Sequence, residues 1–108
     1  MIEMNETELL NAIGQGGAPL AVFLETPLCG TCKAARRMLD VAGHLLPPSA
    51  QPVSGNINLL PAIISQYRIS SVPALLVFDA DRNRPPHIHY AFHSVERVLE
   101  YIRSVNRS

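Results

Sequence analysis

Residues 19–26 (Pro-Leu-Ala-Val-Phe-Leu-Glu-Thr) constrain the fold of this chain more than any other stretch. The apolar run from Leu20 to Leu24 has no alternation, so a strand built from it has no face left for water. Gly16, Gly17 and Pro19 bound it on one side. This is the pattern of a strand buried on both faces, as in a parallel sheet. Residues 74–79 form a second such run. Between the two lies a helical pattern in which Ala35, Met38, Leu39 and Ala42 share a face, closed by Gly43 and Pro47-Pro48.

The remaining elements follow from caps and breakers. Residues 5–13 predict a short helix capped by Asn5 or Thr7, with Glu6 and Glu8 suiting its first turn. Gly14, Gly16 and Gly17 end it. Residues 45–52 predict a loop and 52–57 a weaker strand. Residues 60–67 predict a helix with Pro61 in its first turn. Residues 79–86, with Asp, Asn, Arg and two Pro, predict a turn. A strand over 88–92 follows, and Ser94 caps a final helix striped by Val95, Val98, Leu99 and Ile102. The predicted order is α, β, α, β, α, β, β, α. A right-handed strand-helix-strand unit followed by a hairpin gives a mixed sheet with helices on both faces, an α/β fold.

At 108 residues the chain has the size of one domain, expected over 1–108. Apolar residues make up 47% and charged residues 17%, enough to bury a core. Nine basic residues balance nine acidic ones. That balance argues against general nucleic-acid or anionic-membrane binding, which need a basic surplus. No apolar stretch approaches the roughly 20 residues that span a bilayer. The acidic start, Met-Ile-Glu-Met-Asn-Glu, does not suit a signal peptide, so a cytoplasmic protein is expected.

The two cysteines, Cys29 and Cys32, carry the chemistry. They close too small a loop to staple a fold, and a reducing compartment disfavours a structural disulfide. A close pair in such a chain is catalytic or metal-binding. Here it sits where a buried strand hands over to a helix. Free N–H groups and the dipole at a helix N-terminus favour thiolate over thiol. Lys33, Arg36 and Arg37 add positive charge along the same helix, although such a trio is most simply a solvated face. Thr31 lies between the cysteines, and its hydroxyl can bond a thiolate.

A second motif, Ser71-Val72-Pro73-Ala74, leads directly into the second buried strand. With Val22-Phe23-Leu24, Cys29-Gly30-Thr31-Cys32-Lys33 and Tyr67-Arg68-Ile69, it resembles the thioredoxin family, within it the small thioredoxin-like proteins of bacilli. The resemblance runs from about Asn5 to about Arg103, and the 44-residue step from Cys29 to Pro73 fits the family's spacing. It implies a thioredoxin-like fold with a mixed four- to five-stranded sheet. It implies that Cys29 attacks and Cys32 resolves. It also implies that cis Pro73 lies beside the dithiol, where the backbone of Val72 pairs with an extended substrate. Leu28, Gly30 and Thr31 complete the expected substrate contacts.

The departures are informative. Leu28 stands where thioredoxins carry Trp, and Thr31 where they carry Pro. The family's buried Asp falls on Phe23, its accompanying Lys near Ser54, and a late-loop glycine on Ala91. Glu25, two residues after Phe23 on the same face of the strand, is the candidate to accept the Cys32 proton; the plainer expectation is an exposed strand-end carboxylate.

The expected function is thiol-disulfide exchange with protein disulfides, in the reducing direction, recharged by an unidentified thiol donor and needing no cofactor. The alternative is a partner-binding or redox-sensing module with little turnover. His87 and His89 share a strand face and are expected to be solvated at an edge rather than to bind metal with the cysteines. His93, just before the last helix, is a weaker candidate for substrate contact or thiolate stabilisation. His44 complements a helix dipole. Tyr67, Tyr90 and Tyr101 are expected as core or rim aromatics. The Pro85-Pro86 pair discourages edge pairing, so a monomer is expected.

Overall fold

The computed structural model describes residues 1–105, three short of the expected 1–108 domain. Its elements are β1 (Ile2–Glu3), α1 (Glu6–Gln15), β2 (Leu20–Glu25), α2 (Gly30–His44), β3 (Val53–Asn56), α3 (Pro61–Tyr67), β4 (Ala74–Phe78), β5 (His87–His89) and α4 (Val95–Arg103). Short 3-10 turns at Pro48–Ala50 and Ile57–Leu59 join them. The sheet order is β1-β3-β2-β4-β5. β1 and β2 run parallel to β3, while β4 runs antiparallel to both β2 and β5. This is the expected mixed sheet, with five strands.

The two apolar runs form its centre. Ala21 to Leu24 and all of β4 are buried. Their side chains alternate between two cores. Ala21, Phe23, Leu75 and Val77 face α2 and α4, packing on Leu39, Val98 and Ile102. Val22, Leu24, Leu76 and Phe78 face α1 and α3, packing on Leu9, Leu60 and Ile63. Gly55 in β3 is required by space: a Cβ there would lie 2.8 Å from Leu60 Cδ1 and 2.9 Å from Leu9 Cδ1.

Four expectations are corrected. The sequence pattern does not reveal β1; two residues carry no periodicity, and their pairing to β3 is a long-range choice. α2 runs through Gly43 to His44 rather than ending at the glycine. The 45–52 loop contains a 3-10 turn. β5 covers His87–His89 instead of 88–92, because Tyr90 leaves the ladder and its hydroxyl accepts a hydrogen bond from Ser70 N–H at 3.3 Å.

The caps are legible in the sequence. Asn5 and Glu8 form a reciprocal capping box on α1. Ser94 caps α4 by accepting from Arg97 N–H. Two side chains act at longer range. The Glu6 carboxylate accepts from Ala62 and Ile63 N–H at 2.8 and 3.1 Å, so it caps α3 rather than serving only α1. Arg82 donates to the carbonyls of Ile13, Ala18 and Asp79, pinning the end of α1 to the β4–β5 turn. Among the described residues no helix is long and apolar enough to cross a membrane.

Candidate active site

β2 ends at Glu25, and the chain turns through Thr26 to Leu28 before Cys29 starts α2. Cys29 is the N-cap of that helix, in an extended conformation. Its Sγ accepts from Cys32 N–H at 3.1 Å and lies 3.3 Å from Thr31 Oγ1. A thiolate at this position therefore has a backbone donor and a hydroxyl already aimed at it. Cys29 and Cys32 are joined as a disulfide with Cα atoms 5.1 Å apart.

The two sulfurs have different surroundings. Cys32 is fully buried, while Cys29 is partly exposed and follows Leu28, which is 97% exposed. A Cβ at Gly30 would meet nothing within 4 Å, so the fold does not need a glycine there.

The second motif reaches the same place. The Val72–Pro73 peptide bond is cis. Pro73 and Thr31 line one groove of about 500 Å³, floored by Ala34 and Ala35 and walled by Tyr90, Ala91, Phe92 and His93. Among the described residues, no hydrogen bond engages the main chain of Ser71 or Val72. Of the expected set, Thr31 and Pro73 line this groove together, while Leu28 and Gly30 flank Cys29 in the chain and Val72 precedes Pro73. His93, the weaker candidate, also lines the groove, while His87 and His89 lie apart from it in a recess with Arg97, Glu100 and Tyr101.

Arg36 and Glu25 depart from the solvated positions expected of them. Their side chains form an ion pair, and Glu25 is only 17% exposed. The pair ties the end of β2 to the helix that carries Cys32. Spacing alone could not show it, since the partners lie 11 residues apart on different elements. Lys33 and Arg37 are exposed, as expected.

Phe23 explains its own departure. Its ring packs edge-on against that of Phe92, a residue of the groove, with centroids 5.8 Å apart. Ser54, registered opposite Phe23, is buried, and its hydroxyl has no hydrogen-bond partner among the described residues. Other assignments hold locally: His44 Nδ1 lies 3.0 Å from the Asp40 carbonyl, and Tyr67 packs edge-on against Phe78. Burial raises the Tyr67 pKa, partly offset by the Arg82 charge.

A helix-capping Cys-x-x-Cys pair beside a cis proline, on this sheet order, defines the class: the chain belongs to the thioredoxin family. It is 38% identical over 87 residues to "Thioredoxin-like protein YusE" of Bacillus subtilis (strain 168), covering 81% of this chain and 79% of that protein. It is also 33% identical over 60 residues to "Thioredoxin-like protein slr0233" of Synechocystis sp., covering 56% and 57% of the two chains. Solved structures agree on the fold. A chloroplastic thioredoxin z superimposes with a TM-score of 0.81 at 18% identity, covering 98% of this chain and 94% of that one. A mutant thioredoxin from Halobacterium salinarum gives 0.79 at 15% identity, covering 99% and 91%. No family model matches the chain.

Proposed function

We propose that this protein is a thiol-disulfide oxidoreductase that reduces or exchanges disulfides in polypeptides. The observation that carries the reading is the asymmetry of the pair: Cys29 is accessible at a helix N-terminus, and Cys32 is fully buried behind it.

In the reduced protein the Cys29 thiolate attacks one sulfur of a target disulfide. A Cys29–target bond forms, and the other target sulfur leaves as a thiolate that takes up a proton. Cys32 then loses its proton and attacks Cys29 Sγ. The Cys29–Cys32 bond forms, the second target thiol is released, and two electrons have passed to the target. A small thiol or dithiol donor recharges the pair. Leu28, Gly30, Thr31, Val72 and Pro73 hold the target, whose extended segment pairs with the Val72 main chain. Glu25 accepts the Cys32 proton, and Arg36 fixes the carboxylate in place. The protein works as a monomer in a reducing compartment, the cytoplasm.

A second reading has one observation in its favour. With Phe23 and Ser54 in the sheet, no carboxylate among the described residues is fully buried, which suits a binding or sensing module with slow turnover. Reduction of an insulin-type disulfide separates the two. The oxidoreductase reading predicts many turnovers per protein molecule with a dithiol donor, and none above the donor's own rate for Cys29→Ser. Wild-type protein that never exceeds one turnover contradicts it.

A further inference from the structure

We propose that Tyr90 is a positioning residue that fits the site to extended polypeptide targets, an inference that rests on the thiol-disulfide reading above. Tyr90 bridges the two walls of the groove. It lines the groove with Pro73 and His93, and its hydroxyl accepts from Ser70 N–H. Ser70 begins the segment that delivers Val72 and Pro73 to the dithiol.

That segment has little else to hold it. Arg68 turns the chain out of α3 in the left-handed region, and Ile69 N–H bonds back to the Ile64 carbonyl. Beyond that point, and before β4 begins at Ala74, the bond to Tyr90 is the one hydrogen bond engaging the main chain of Ser70, Ser71 or Val72 among the described residues. An edge that offers its own N–H and C=O to a target strand must be free of internal partners, yet it must also be held in register.

The anchor itself is fixed from the other side. Tyr101 on α4 donates its hydroxyl to the Ala91 carbonyl at 3.1 Å, and its ring stacks on His89 with centroids 3.7 Å apart. Phe92 is held by Phe23. The 90–93 loop is thus seated by one aromatic contact and a hydrogen bond, with the His89–Tyr101 stack just before it, and Tyr90 passes that rigidity across to Ser70. A polypeptide target, which needs both the sulfur and the Val72 edge, senses this tie. A small disulfide, which needs only Cys29, does not.

The experiment compares wild type with Tyr90→Phe on two substrates: a disulfide-linked extended peptide and a small aromatic disulfide. The expected result is a rise in KM for the peptide of about fivefold, the worth of one hydrogen bond. The small disulfide is affected less than the peptide, and the peptide's loss falls on KM rather than on kcat. Equal peptide KM values in the two proteins, or equal losses on both substrates, overturn the proposal while leaving the dithiol reading intact. Failure of wild type to reduce either substrate overturns that reading and this one with it.

Discussion

Cys29 and Cys32 differ by three positions and by nearly everything that governs a thiol. One caps a helix at the surface with two donors around its sulfur, and the other is sealed in the first turn. Residue types and spacing make this legible, because an N-cap offers its side chain to the N–H three residues on. The Glu25–Arg36 pair is not legible, since it needs β2 and α2 to be docked first. Glu25→Gln is expected to slow decay of the mixed disulfide by about tenfold, a modest share of general-base catalysis, and to change its pH profile. Rapid acid quench with mass detection measures that step. An unchanged rate and profile would remove Glu25 from the chemistry and leave it as a strut between strand and helix.

At the scale of elements, sequence pattern succeeds where burial or a cap dominates. β2 and β4 are apolar on both faces, and α1 and α4 carry their own capping residues. It fails at β1 and at the end of β5, where pairing depends on distant partners. The β5–α4 contact also carries a pH dependence. Burial lowers the His89 pKa below the ordinary 6.5, and charge on His87 lowers it further. The folded state therefore resists protonation, and below about pH 6.5 the unfolded chain binds more protons, so stability falls as pH drops. Thermal midpoints between pH 7 and 5 are expected to decline in wild type and less steeply in His89→Phe, which keeps a ring against Tyr101. Parallel declines would assign the dependence to other groups.

The whole molecule is a sheet whose two most buried strands deliver the chemistry to one end. β2 leads into the cysteines, and the cis proline leads into β4 beside it, so a single antiparallel pairing places both motifs. That is why two short motifs, 44 residues apart, suffice to anticipate the fold. The Phe23–Phe92 contact is hidden from the sequence because pattern treats both rings as ordinary core and cannot pair them across 69 residues. On the proposed function, Cys29 is the attacking sulfur. The most direct test is to present a disulfide-bearing polypeptide to Cys32→Ser and to Cys29→Ser, and to weigh the intact adducts. A stable mixed disulfide is expected through Cys29 in the first protein and essentially none through the buried Cys32 in the second. Equal capture by both, or capture through Cys32 alone, would contradict it.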